Sequence, residues 1–373
     1  MKRNHFSVAL VALVLVGSTT AHAQSPYLSK VYEFRPAPGQ FVNYIPAYQE
    51  GDTSESMARK AERALAGSEG TLVSLGSYGG YIVFGFDHMV KNLPGKMDFR
   101  VLGNAFYSDS TPNPDDPREK GSSEPGIVMV SYDANGNGKP DDPWYELAGS
   151  EYASPATTHS YRITYYRPDE NKTPTPDSNP LVSDTTYVRW TDNQGGQGYV
   201  ARNVFHNQSY YPQWLDEDEL TFEGTLLADN FLDLSGDASN YIQYVYPWGY
   251  ADNHPNSDDR SCFNIDWAVD ASGQRVHLPG AHFFKVYTAV NQYCGWLGET
   301  STELSGASDL HLLDIDIDDR WAPDATALRP VRIVPTERTT YYDLSGKRIA
   351  DSNVAPGIYI EHSPEGVRKV VIR

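Results

Sequence analysis

Apolar and polar positions alternate along most of this chain with a period of two. "DELTFEGTLLA" (218–228), "SYRITYYRP" (160–168) and "TTYVRWTDN" (185–193) show it plainly. That period belongs to strands whose two faces meet different surroundings. "GGYIVFGFDH" (79–88), "KMDFRVLGNAF" (96–106), "PGIVMVSYD" (125–133), "YIQYVYPWGY" (241–250), "FNIDWAVD" (263–270) and "AHFFKVYTAV" (281–290) extend the series. "LLDIDIDD" (312–319) alternates Ile with Asp and reads as a half-exposed strand, its acids solvated or forming a cation site. One segment, "DTSESMARKAERALAG", follows the helical period instead. Asp52 can cap it, Glu55 sits three residues on, Met57, Ala61 and Leu65 share a stripe, and Gly67 stops it. The expected fold is all-β: a β-sandwich or jelly roll with one short N-terminal helix.

Composition supports many strands joined by many turns. The 373 residues include 30 Gly, 25 Pro and 26 Tyr. Net charge is -19, which argues against nucleic acid as a partner and suits cation binding. Lys2 and Arg3, the apolar run Val8 to Val16 and the ending Ala21-His22-Ala23 read as a secretory signal over 1–23. Its removal takes the charge to -21. No later run is apolar enough to span a membrane. Cys262 and Cys294, an even pair in an exported chain, allow one disulfide; two buried thiols would look the same. A boundary near "RWAPDATALRPVR" (320–332) divides a main domain, 24–325, from a short turn-rich module, 326–373.

"DANGNGKPDDPWYEL" (133–147) concentrates oxygen ligands. Asp133, Asn135, Asn137, Gly138, the carbonyl of Lys139 and Asp141 fall where a twelve-residue calcium loop places side-chain ligands, its glycine and its carbonyl. The twelfth position is Trp144 rather than a bidentate Glu, so Asp142 or Glu146 would close the shell. A strand precedes the loop and another follows, so the expected ion is structural. A metal-free hairpin turn is the plainer alternative.

Catalytic motifs are weak: there is no H-E-x-x-H, G-x-S-x-G or phosphate-binding glycine loop. His254, His277, His282 and His311 are scattered. Glu299 and Glu303 in "GETSTEL" could form a glycosidase pair, although such residues more often occupy turns and solvated faces. Aromatic loops give a better lead. "HNQSYYPQW" (206–214), "YPWGYADNHPN" (246–256) and "NQYCGWLGE" (291–299) offer Asn207, Tyr211 and Trp214, then Trp248, Tyr250 and Asn253, then Asn291 and Trp296. Rings beside amides can hold a sugar or another ringed ligand, or they can fill the core. Trp190 and Trp267, inside strand candidates, are expected in the core.

The block "GGYIVFGFDHMVKNLPGKMDFRVLGNAFY…SSEPGIVMVSYD", with "LPGAHFFKVYTAV" and "GETSTELSGASDLHLLDID", resembles galactose-binding-domain-like jelly rolls. Together with "FHNQSYYPQWL" and "WGYADNHPN", it is similar to a family of Bacteroidota cell-surface proteins of undefined biochemistry. "YYDLSGKRIA…VAPGIYIEHSPEGVRKVVIR" (341–373) resembles a type IX secretion sorting tail, with turns at Ser345-Gly346 and Pro356-Gly357. These resemblances imply export through the type IX machinery, then a surface or secreted location, and an association with nutrient capture, including corrinoids. The expected function is non-catalytic, calcium-stabilised binding of a glycan or small nutrient. The alternatives are a glycan hydrolase and a structural or adhesive surface protein.

Overall fold

The computed structural model describes residues 23–108, 118–236 and 239–322, together with strand segments between 331 and 372. The expected signal segment 1–23, the expected boundary near 320–332 and both expected tail turns lie wholly or partly outside the described residues.

The fold is all-β, with one α-helix among the described residues. An eight-stranded sheet forms its centre. Its strands run in the order Lys30–Arg35, Tyr81–Lys91, Gly280–Thr288, Gly126–Ser131, Trp144–Leu147, Ala268–Val269, Arg275–His277 and Val331–Ile333. Every neighbouring pair is antiparallel except the last, which is parallel. Gly280–Thr288 is buried almost continuously because strands flank it and other layers cover it. Glu219–Leu226, by contrast, keeps the exposed–buried alternation of a sheet with one wet face. It belongs to a second, four-stranded sheet with Thr158–Tyr166, Val182–Asp192 and Gln197–Asn203.

One apolar core joins these layers. Phe284 of the central sheet stacks on Phe84 at 5.5 Å and meets Phe99 edge-on at 4.8 Å. Phe99 lies on Phe99–Leu102, the middle strand of a three-stranded sheet. Tyr165 of the second sheet donates to the Tyr78 carbonyl at 3.1 Å, and Tyr161 packs against the Tyr78 ring at 5.0 Å.

The helix runs Ser54–Leu65 and buries Met57, Ala61 and Leu65, the expected stripe. Its cap is Thr53 rather than Asp52. Thr53 and Ser56 exchange side-chain-to-backbone bonds, while Asp52 pairs with Lys60. The expected strand at 312–319 does not form. Asp309 Oδ1 accepts from the His311 N–H, Asp314 takes a positive φ, and the segment turns before a short 3₁₀ helix, Asp319–Trp321.

The C-terminal segments form their own antiparallel sheet, in the order Arg348–Ile349, Thr340–Tyr342, Gly357–Ser363 and Gly366–Ile372. No helix among the described residues is long and apolar enough to cross a membrane.

Candidate functional site

Two short strands position the site. Lys120–Ser122 and Tyr241–Tyr244 pair in a four-stranded sheet with Phe106–Tyr107 and Phe231–Asp233. Beside them, the loop 291–302 returns toward the central sheet, and Leu75 and Thr302 share a backbone bond. Between these elements opens a cleft of about 630 Å³. Rings stand at its margin: Phe106 is 58% exposed, Phe205 55%, and Trp296 is half-buried. Phe205 meets Trp296 edge-on at 5.8 Å, and Trp296 Nε1 donates to the Ser239 carbonyl at 2.9 Å. Tyr241 and Phe41 complete the aromatic lining.

Two carboxyl groups also line the cleft, Glu124 and Glu299. Glu299 Oε1 accepts the Gln40 N–H at 2.6 Å, whereas Oε2 is buried without a hydrogen-bond partner. Gly39 permits this approach, because a Cβ there would stand 2.6 Å from Oε1. Burial pushes the Glu299 carboxyl up to about 8. Gln40 is locked in turn: its Nε2 donates to the Leu297 carbonyl and its Oε1 accepts from Asn203, each at 2.6 Å. Thr300 accepts from Gln292 at 2.9 Å and Gln243 at 3.3 Å.

Glu124 belongs to a second arrangement, behind the cleft. One carboxylate oxygen from each of Glu124, Asp252 and Glu303 lies within 4.8 Å of the other two. Asp252 has a φ of 52° in the loop after Gly249, and its Oδ1 accepts from the N–H groups of Asn104 and Ala105. Its Oδ2 accepts the Glu303 N–H at 3.0 Å. Gly103 makes room for it, since a Cβ would lie 2.3 Å from Oδ1. Burial, then the charges of Glu303 and Asp252, hold Glu124 well above the ordinary carboxyl range. Burial and the Glu303 charge do the same to Asp252. Burial also raises Glu303, against hydrogen bonds that favour its ionised form.

The sequence expectations for this region divide. Trp296 lines the cleft, and His206 of the first aromatic segment joins it. Asn291 lies instead in a small neighbouring crevice with Trp190 and Tyr199, and donates to Tyr161 Oη at 3.3 Å. Asn207 is exposed on a separate hollow beside Glu170 and Lys172.

The other five residues are not a ligand face. Tyr211, Trp214, Trp248, Tyr250 and Asn253 are all buried. Trp214 stacks between Phe34 at 5.8 Å and Tyr48 at 6.3 Å. Trp248 packs on Trp267 at 4.7 Å, Tyr211 donates to the Glu217 carbonyl, and Tyr250 Oη accepts the Glu151 N–H. Asn253 holds its own loop, bonded to both the N–H and the carbonyl of Tyr246. Trp267 lies in the core as expected, and Trp190 packs partly buried against that core. Glu299 and Glu303 are buried rather than solvated. Cys262 and Cys294 are free buried thiols; burial raises them to about 11 and about 12, and Arg100 Nε donates to Cys262 Sγ at 3.2 Å.

In the loop 133–142 the polar side chains bond to one another and to the loop's own N–H groups. Asp133 accepts the N–H groups of Asn137 and Gly138, and Asn135 and Asn137 both reach Asp141. Asp142 Oδ2 has no hydrogen-bond partner, and burial and the charges of Asp133 and Asp141 push that carboxyl up. Lys139 supplies its N–H to Asn137 Oδ1 at 2.7 Å. Glu146 does not close the loop. Thr225 donates to its Oε2 at 2.6 Å, and it lines a different hollow with Lys285.

No protein-family model matches the sequence, and no curated protein matches it, so the reading of this site rests on its own geometry.

Proposed function

We propose that this chain is an exported binding protein whose cleft holds a ring-bearing ligand, a glycan or a small nutrient such as a corrinoid, without turning it over. The observation that carries this reading is the set of rings around one cleft, the exposed Phe106 and Phe205 with the half-buried Trp296. Exposed rings lose water on meeting the flat face of a ligand, and hydrogen-bonding side chains set among rings fix its orientation; here Asn203, His206, Asn240, Gln243 and Thr300 line the same cleft. The hydrolase reading has its own support in two carboxyl groups lining the same cleft. Glycoside cleavage, however, needs one acid and one ionised carboxylate facing the sugar. Burial pushes Glu299 toward the neutral form, and Glu124 is drawn into the cluster of buried acids behind the cleft rather than set opposite Glu299, an arrangement that suits binding better than cleavage.

Calcium in the loop 133–142 belongs to the same proposal as a structural ion, supported by Asp133's bonds to the loop N–H groups and the unpartnered Asp142 oxygen. Export and sorting through the type IX machinery are proposed from the N-terminal segment and the C-terminal module, with the galactose-binding-like jelly roll as the fold of the main domain. The separate four-stranded sheet of the last residues is compatible with a sorting module.

The test is binding of the purified chain to a panel of glycans and corrinoids, with product analysis of each mixture. Phe205→Ala and Trp296→Ala are expected to weaken the retained ligand several-fold, since one stacked ring contributes on the order of 1 kcal/mol. Cleavage of a retained glycan would replace this reading with the hydrolase. Retention unaffected by both substitutions would move the site elsewhere.

A further inference from the structure

The three acids behind the cleft make a demand that the binding reading leaves unanswered. Glu303 is only 4% exposed and Asp252 3%, yet one oxygen of each lies within 4.8 Å of the other and of Glu124. Buried carboxylates this close repel strongly unless protons or a cation intervene. Asp252 is fixed in the accepting role by three backbone N–H groups. Glu303 also carries an oxygen, Oε1, that is buried with no hydrogen-bond partner. Orphaned polar atoms of this kind are rare in folded proteins and call for a missing partner.

We propose that Glu124, Asp252 and Glu303 bind a divalent metal cation of calcium size, distinct from the one proposed for the loop 133–142. The donors are all oxygen, which selects hard cations over zinc or copper. On a cation with oxygens at about 2.4 Å, opposite ligands stand about 4.8 Å apart, so the trio can occupy one coordination shell. The Asn104 side-chain amide lies against the same carboxylate. With its NH₂ turned to Asp252 it donates at 3.1 and 3.2 Å; with its oxygen turned there it adds a neutral ligand. Glu124 is half-buried and lines the cleft, which gives the cation its route in. The cation ties together three segments distant in sequence, at residues 124, 252 and 303. Its binding does not depend on the cleft having an organic ligand.

Calcium alone, added to the chelator-stripped full chain, tests this. The proteins compared are Asp133→Ala, which disables the exposed loop, and the double variant Asp133→Ala with Glu303→Gln. Asp133→Ala is expected to retain a calcium-binding event by titration calorimetry and a rise in melting temperature of several degrees. The double variant is expected to lose both, and magnesium is expected to act more weakly than calcium. Should the double variant not fold, Glu124→Gln in the Asp133→Ala background supplies the comparison from the half-buried edge of the trio. Asp133→Ala with no remaining calcium response, or with a response unchanged by the second substitution, overturns the proposal. In the first case the acids share protons instead.

Discussion

Glu299 accepts a 2.6 Å hydrogen bond from the Gln40 N–H through one carboxyl oxygen and keeps the other buried without a partner. Its carboxyl is raised from 4.5 to about 8 by burial. The folded state therefore binds a proton that the unfolded chain releases above pH 4.5. The associated stability is complete below about pH 4.5, falls as pH rises, and is lost beyond about pH 8. Glu299→Gln should flatten stability across this window, by a few kcal/mol at most. Other raised acids titrate in both proteins, so the difference between their denaturation curves isolates Glu299. Parallel curves from pH 4.5 to 8 would show that the carboxyl is solvated.

Trp214 and Trp248 are 8% and 6% exposed, each packed against another aromatic ring. Replacing either with Ala removes a large buried side chain and leaves a cavity. The expected cost is about 3–5 kcal/mol, read from chemical denaturation. Near-native stability in both variants would contradict this packing. Any ligand effect should follow the loss of folded protein rather than a change in affinity.

The difference between these tryptophans and Trp296 shows where sequence reasoning stops. All three sit in Gly- and amide-rich segments that read as loops. What separates them is the distant partner: Phe34 and Tyr48 cover Trp214 and Trp267 covers Trp248, while Trp296 meets Phe205 beside open solvent. Strands such as Glu219–Leu226 were legible because one wet and one dry face impose period two locally. The same rule misread 312–319, where Asp309 and a positive φ at Asp314 impose a turn despite the alternation. Glu299 and Glu303 looked solvated because hydropathy treats every Glu alike. Their burial is decided by Gln40, Glu124 and Asp252, far away along the chain. Phe106 and Phe205 gave no signal as site residues; each stands near a strand end, where only the assembled sheets define a cleft.

Deleting the C-terminal module tests the sorting proposal. Val331–Ile333 pairs in parallel with Arg275–His277 at the edge of the central sheet, so the cut belongs after residue 333. The truncated protein should fold with an unchanged melting temperature and accumulate in the periplasm. Arrival of the truncated protein at the surface or in the medium would remove the tail from the export pathway.

The loop 133–142 makes the clearest calcium prediction, because its charges depend on one another. Asp133 uses both oxygens on backbone N–H groups, and Asp141 receives the Asn135 and Asn137 amides. Asp142 stands among these acids with a buried oxygen unpaired. A cation would draw the two Asn side chains round to present oxygen and would neutralise the mutual repulsion of Asp133, Asp141 and Asp142. Only the folded loop gathers these groups, so binding adds directly to folding stability. With two amides among the ligands the affinity should fall in the range typical of extracellular modules, roughly 10⁻⁴–10⁻³ M. Calcium should therefore raise the melting temperature over that concentration range, and chelator should reverse it. Asp133→Ala should remove this weak phase of the titration and leave any tighter phase in place. A titration identical in the variant and the parent would show that the loop is held by its own hydrogen bonds and needs no ion.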